Sequence, residues 1–282
     1  MVQNPIETIV FWNCGLAPTV RRETRPEPGA CETAGRTIRQ LVHDGAKVLG
    51  LCEVNDASLQ SLRRFLPAGF DLHPCTGPVN GLHWDLALAF DSAAWKACGH
   101  ARRIVARYGN HSYKAGWKRP LLHRSTGVEV AIYVAHWRSR LRDGALGRQR
   151  CGQELATSME KEKRPIVVMG DFNDEPFDKA LEGMNTSRDI HLVRDSCNLL
   201  FNPFWRHLGH EDRHTRRCGT YFHRNGETTR WRTFDQIIIS AEFLQDRDLC
   251  YHWAGPAPNV HDAGDHIPVR LDIYSRRLHH DS

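Results

Sequence analysis

Pro165-Ile166-Val167-Val168-Met169-Gly170-Asp171-Phe172-Asn173 is the stretch on which the fold turns. Four consecutive apolar residues, three of them β-branched, read as a strand buried on both faces. Gly170 closes the run, and an extended turn then delivers Asp171 and Asn173 from the same side. Both carry hard oxygen ligands of the kind Mg²⁺ takes, and a strand end holds such groups rigidly. Taken alone, a turn capping the helix expected to start at Glu175-Pro176 explains the same residues. The rest of the chain therefore has to show whether other strands end in the same way.

They do. Lys47 to Cys52 is a second apolar run and leads straight into Glu53, a carboxylate that is costly at a buried strand end unless it meets a cation or donors. Ile6 to Trp12 stops at Asn13, with Gly15 as a turn residue behind it. Val128 to Trp137 alternates through Val128-Glu129-Val130-Ala131-Ile132-Tyr133 and carries His136 at its end. Phe234 to Ile239 begins beside Asp235, and Ile267 to Ile273 is headed by Gly264-Asp265-His266. A carboxylate hydrogen-bonded to an imidazole fixes its tautomer and raises its basicity, which suits proton transfer at neutral pH. Each feature has a plain structural counterpart: a turn asparagine, an Arg or Lys partner for Glu53, or, among 17 histidines, a surface role for any single one.

Trp84 to Phe90 and Ala101 to Tyr108 complete the expected strands. Helices are expected over Thr33 to His43, over Ala57 to Leu66 after Asp56 as the cap, and within Leu141 to Lys163. Asn110 to Gly116 and Leu199 to Arg217 read as long loops, where specificity commonly resides. Strand–helix–strand units open the chain, hairpin-like strands fill the middle, and neither a linker nor a fixed-period repeat divides it. One α/β domain over residues 1–282 is the expectation.

Composition narrows the class. The chain is 40% hydrophobic and 25% charged, ordinary globular values, and no apolar run is long enough to cross a bilayer. Nine cysteines are scattered without a C-x-x-C pair, and the N-terminus lacks a secretory pattern; both point to a cytoplasmic protein with reduced thiols. The formal charge of +5 suits a polyanionic substrate. Arg102-Arg103, Lys114 to Arg119 and Arg138 to Arg150 are basic stretches interleaved with Tyr113, Trp117 and Trp137, able to meet phosphates and bases, or equally to be solvated faces over core aromatics.

The ordered set Phe11-Trp12-Asn13, Leu51-Cys52-Glu53-Val54, His136-Trp137-Arg138-Ser139-Arg140, Gly170-Asp171-Phe172-Asn173, Phe234-Asp235-Gln236-Ile237 and Gly264-Asp265-His266-Ile267-Pro268-Val269 resembles the endonuclease/exonuclease/phosphatase superfamily, the DNase I-like proteins. The resemblance implies a four-layer αββα sandwich with two mostly antiparallel central sheets flanked by helices. It implies that Glu53 binds an essential Mg²⁺ or Mn²⁺ with Asn13 and Asp265 adjacent, and that Asp171 and Asn173 orient the attacking water or hold a second metal and the phosphate. His266, paired with Asp235, would assist water activation, and His136 would donate to a phosphate oxygen or leaving group. Arg138 and Arg140 match the His-x-Lys-Ser-Lys segment of bacterial nuclease-like members, and Lys118-Arg119-Pro120 resembles a phosphate-contacting Arg-x-Pro strand entry. The acid that orients the first histidine in DNase-like members has no clear counterpart before Leu86; His83 and Asp85 stand nearby and leave the partner of His136 open.

AP endonucleases, tyrosyl-DNA phosphodiesterases and inositol-polyphosphate 5-phosphatases carry different residues around His136, Glu53 and Asp235. Secreted sphingomyelinases would need an export signal and a membrane-seeking hairpin. A metal-dependent phosphodiester hydrolase acting on nucleic acid is therefore expected, ahead of a phosphomonoesterase or lipid phosphodiesterase, and ahead of a binding protein that has lost catalysis.

Overall fold

Every residue of the strand Ile166–Asp171 is buried, and its two neighbourhoods explain why it is apolar on both faces. Val167 and Met169 point into a core shared with Leu88, Ile237 and Leu271. Ile166 and Val168 point the other way, against Leu155, Met159 and Ala180 of covering helices. The computed structural model describes residues 6–18, 26–140, 144–196, 198–209, 211, 217–226, 229–245, 247–258, 260 and 264–275.

In chain order the strands are β1 (Ile6–Asn13), β2 (Ala46–Cys52), β3 (Phe70–Val79), β4 (Leu82–Asp91), β5 (Trp95–Ala97), β6 (Arg102–Tyr108), β7 (His111–His123) and β8 (Glu129–His136). They continue with β9 (Ile166–Asp171), β10 (Thr186–Ser187), β11 (Leu200–Phe201), β12 (Tyr221–Phe222), β13 (Trp231–Arg232), β14 (Asp235–Ser240), β15 (Leu249–Pro256) and β16 (Val269–Ser275). The helices are α1 (Pro28–His43), α2 (Asp56–Leu62), α3 (Gly144–Glu160), α4 (Lys179–Glu182) and α5 (Ile190–Arg194).

One sheet runs β15-β16-β1-β2-β4-β3; the other runs β10-β11-β14-β9-β8-β7-β5, with β6 also paired to β7. In the first only β1–β2 is parallel, and in the second β8–β9 and β10–β11. The sheets face each other across a dry core in which Phe11, Trp84, Phe90 and Trp95 are fully buried. Burial at this level stabilises by about 1.5–3 kcal/mol for a phenylalanine-sized side chain. Helices α1 and α2 cover the outer face of the first sheet through Ile38, Leu41, Leu59 and Leu62. Helices α3 and α4 cover the second. The result is the four-layer αββα sandwich.

Several local expectations change. All of Asn110 to Gly116 but Asn110 is the start of β7 rather than a loop: Gly109, at φ +55°, and Asn110 turn β6 back into it. The polar residues there, His111 and Ser112, are strand positions facing solvent. Asn55 rather than Asp56 caps α2, in a reciprocal capping box with Ser58, and α2 ends at Leu62 before a 3₁₀ turn. Helix α3 covers 144–160 of the expected 141–163, with 141–143 outside the described residues. Glu175-Pro176 sits in a turn, and the helix after it starts only at Lys179. Leu199 to Arg217 contains β11 and a 3₁₀ helix at Pro203–His207, while 210 and 212–216 lie outside the described residues. Strand β3, which includes Pro74, Gly77 and Pro78, escapes sequence reading because an edge strand tolerates residues that a central strand does not. No described helix is long and apolar enough to cross a membrane.

Candidate active site

The strand ends expected to carry chemistry converge. Strands β1 and β2 are parallel and in register at Asn13 and Cys52, so Asn13 and Glu53 emerge from the same edge of the first sheet. Strands β8 and β9 do the same in the second sheet, with His136 opposite Asp171. Gly170 is required one residue earlier, where a Cβ would stand 2.6 Å from the carbonyl oxygen of Ala135. Asp235 begins β14 directly opposite Asp171. His266 is placed by an isolated bridge to Tyr221, ahead of β16. Glu53 and Asn173 both adopt left-handed backbone, at φ 53° and 51°. Such a conformation costs a non-glycine residue about 1 kcal/mol or more and is tolerable for Asn, but is unusual for Glu.

Two histidine–carboxylate pairs dominate the geometry. His266 donates from Nδ1 to Asp235, 2.9 Å to Oδ2. His136 donates from Nδ1 to Asp85 Oδ2 at 2.8 Å, which identifies the partner left open by the sequence. Each pair joins the two sheets: Asp85 lies on β4 and His136 on β8, whereas Asp235 lies on β14 and His266 beside β16. With Nδ1 engaged, both Nε2 atoms turn to Asp171 Oδ2, at 3.8 Å from His266 and 3.9 Å from His136. Asn13 Nδ2 donates to the same oxygen at 3.0 Å, while its Oδ1 accepts from the Gly15 N–H. Glu53 Oε1 stands 3.7 Å from His136 Nε2.

Burial and charge set the protonation states. Burial works to lower the His266 pKa, but the carboxylates of Asp235 and Asp171 outweigh it and push the value up to about 10. His136 is likewise raised, burial opposing and Asp85 prevailing. Burial pushes Asp235 up to about 6, and Asp171 adds to the shift. Asp85 goes the other way: burial would raise it, but His136 and the Lys114 ammonium bonded to its second oxygen hold it well below the usual carboxylate range. The carboxylates by themselves thus favour the protonated form of both imidazoles and keep the His266 proton in place at neutral pH.

A divalent cation fits this donor set. Among the described residues, the ion pairs of Glu53 and Asp171 go only to the two imidazoles, with no Lys or Arg beside either. Carboxylates so placed, Asp171 buried and Glu53 half-buried, call for a hard cation. Asp171, Asp235 and His266 also lie within 4.8 Å of one another, but His266 meets Asp235 through its Nδ1–H, so that trio is first of all a hydrogen-bonded pair beside a carboxylate. Asp265 stands exposed at the mouth, acting on Tyr221 and His266 through its charge.

The remaining candidates separate. Asn173 donates to the Trp137 carbonyl at 3.1 Å and locks the turn after β9 to the end of β8. Arg140 donates to the Asn173 carbonyl at 2.9 Å and is ion-paired with Asp174 and Asp178. Arg138 is exposed, its guanidinium 5.6 Å from the centre of the Tyr113 ring. Lys118 and Arg119 are not brought to the cluster. They face Tyr133 and Ile132 on β8, short of His136, and Lys118 is paired with Glu162 at 3.1 Å.

Sequence reading missed Lys114, Tyr221 and Arg148. Tyr221 lays its ring against His266 with centroids 4.5 Å apart. Buried Arg148 binds Asp174 at 2.9 Å and the carbonyls of Arg138 and Ser139, bracing both loops of the site from α3. Nothing local marks their roles; the basic runs Lys114 to Arg119 and Arg138 to Arg150 hinted at Lys114 and Arg148, and nothing at Tyr221.

A doubly covered sandwich with histidine–aspartate pairs bridging its two sheets at one end defines a class of hydrolytic folds. The chain belongs to the endonuclease/exonuclease/phosphatase family, whose model matches residues 119–266. An endonuclease/exonuclease/phosphatase family protein from Bacteroides thetaiotaomicron is similar in structure, with TM-score 0.68, 15% identity and 99% of each chain covered. The human Nocturnin catalytic domain with bound sulfate anion superposes with TM-score 0.63, 21% identity, and 97% of this chain and 96% of that chain covered. D. rerio TDP2 complexed with single strand DNA product gives TM-score 0.64, 14% identity, and 96% and 100% covered. A search of curated proteins finds no match.

Proposed function

We propose that the protein is a divalent-metal-dependent phosphodiester hydrolase acting on nucleic acid. One observation carries this: two imidazoles, each held by a carboxylate from the opposite sheet, aim Nε2 at Asp171 beside a Glu53 that has no Lys or Arg partner among the described residues.

Glu53 is the principal candidate ligand for Mg²⁺ or Mn²⁺, with Asp265 at the mouth and Asn13 holding Asp171 in place. Such an ion, when bound, supplies positive charge to phosphoryl oxygens and to an attacking water. Asp171 Oδ2, between the imidazoles, orients that water for in-line attack on phosphorus and takes its proton. His136 and His266 face the phosphate as donors, stabilising charge on its equatorial and departing oxygens. This shifts His266 from the water-activating role expected from the resemblance to that of a donor, because the surrounding carboxylates hold its proton. Asn173 keeps the Asp171 turn in place, and exposed Arg138 is the cation available to a flanking phosphate.

The test is a side-by-side screen of single-stranded and duplex DNA, RNA and small phosphate esters with Mg²⁺, Mn²⁺ or EDTA. Cleavage of polynucleotide that needs metal and is lost in Glu53→Gln is the expected result. Hydrolysis of monoesters alone would move the activity to a phosphomonoesterase, and turnover undiminished in Glu53→Gln would remove the ligand assignment.

A further inference from the structure

A line of rings and guanidinium groups leads out from His266. Tyr221 lies against His266, and Phe234 stacks on Tyr221 with centroids 5.5 Å apart and an interplanar angle of 16°. The Arg140 guanidinium sits over Phe234, 5.0 Å from the ring centre, and is fixed there by Asp174 and Asp178. Phe177, next in the chain to Asp178, is 57% exposed. It meets Trp205 edge-on at 6.3 Å, and Trp205 is covered by the exposed Arg188 guanidinium 5.1 Å from the ring centre.

A single exposed phenylalanine on a protein surface needs no explanation. This one follows the series that begins at the reaction centre, through the Arg140–Asp178 ion pair beside it in the chain, and adds a second group of two rings and a cation. A base stacks on an aromatic face whatever its identity, and its phosphate can be met by the exposed Arg188 guanidinium beside the rings. An apolar partner surface would not be matched by the exposed Arg188 guanidinium over Trp205.

We propose that Phe177, Trp205 and Arg188 form a stacking platform for a base of single-stranded nucleic acid flanking the scissile phosphate. This deepens the nuclease reading of the same site and rests on it. Binding and turnover can nevertheless be read separately. Anisotropy of a fluorescein-labelled single-stranded oligonucleotide of about ten nucleotides, in EDTA, reports binding without cleavage. Phe177→Ala is expected to raise its Kd by about 5- to 100-fold, the range of one lost base stack. Phe177→Trp restores binding, and Arg188→Ala weakens it with a shallower salt dependence. On bis(p-nitrophenyl) phosphate with metal, which has no base to reach the platform, Phe177→Ala keeps wild-type kcat/KM.

Oligonucleotide binding unchanged in Phe177→Ala, or loss of small-ester turnover in parallel with binding, would overturn the platform even if the protein cleaves nucleic acid. Wild-type protein that binds single strands through Phe177 yet cleaves none would leave the platform standing and remove the nuclease reading. Wild-type protein that binds no single strand would remove the platform.

Discussion

The two histidine–carboxylate pairs look alike in outline and differ in what lies behind the carboxylate. Asp85 is shared between His136 and Lys114, so two positive groups hold it ionised. Asp235 is fully buried, and burial, with Asp171 as a neighbouring negative charge, raises its pKa to about 6 against His266 on both its oxygens. The first pair is a braced strut between β4 and β8. The second is a soft pair whose proton responds to any charge arriving near Asp171. Chemistry is expected to be more sensitive to the soft pair, and stability to the braced one.

The largest effect should come from Asp235→Asn, which removes the charge that His266 leans on. A drop in kcat of about 10²- to 10⁴-fold is expected, at least tenfold beyond that of Asp85→Asn, as measured on a small diester at saturating metal. Equal losses would mean that the two pairs do the same work.

Stability should rank them in reverse. Asp85→Asn leaves the Lys114 ammonium without its carboxylate, on a side chain only 20% exposed. Fully buried pairs lose about 3–5 kcal/mol on removal of one partner, and partial hydration of Lys114 brings the expected cost to about 2 kcal/mol. Urea unfolding in EDTA measures it. Lys114→Met should destabilise in the same direction, by leaving buried Asp85 with His136 alone.

The pH dependence in EDTA should separate the pairs by sign. Asp85 is depressed, so its contribution is fully present above its unfolded pKa near 4 and is lost as pH falls below that. Asp235 is raised to about 6, so between about pH 4 and pH 6 the folded state binds more protons and acidification favours it. Asp235→Asn should therefore flatten the gain on going from pH 6 to about pH 4, and Asp85→Asn the loss below it. Identical curves for the two variants would contradict the assignment.

The smallest effect concerns the basic segment after β8. Arg138→Ala should reduce the salt slope of polynucleotide binding by about one phosphate contact. Arg140→Ala should act more on stability, since Arg140 ties the Asn173 turn to Asp174 and Asp178. A larger change in salt slope for Arg140→Ala would reverse the two.

Much of this was legible in the chain because strand-end chemistry is local. The run Ile166 to Asp171 shows its double burial in four apolar residues, and Asn13, Glu53, His136, Asp235 and His266 are each visible where an apolar pattern begins or stops. Edge strands were harder. Strand β3 carries Pro and Gly because it is paired on one side only, and the start of β7 reads as a loop because its side chains face water. Lys118 and Arg119 were adjacent to an informative pattern, but Lys118 is paired with Glu162 and Arg119 donates to the Gly99 carbonyl.

Local pattern by itself therefore determined which residues stand at strand ends, and the resemblance carried by their ordered motifs supplied the family and the layered fold. Who partners whom was decided only in three dimensions. His136 and Asp85 are 51 residues apart and His266 and Asp235 are 31 apart, each pair reaching from one sheet to the other. Periodicity reports how a residue faces its own sheet and carries no information on which residue of the opposite sheet it will meet. That is set by how the two apolar faces pack, and the same packing places Lys114 behind Asp85 and leaves Asp235 with His266 and a rival charge.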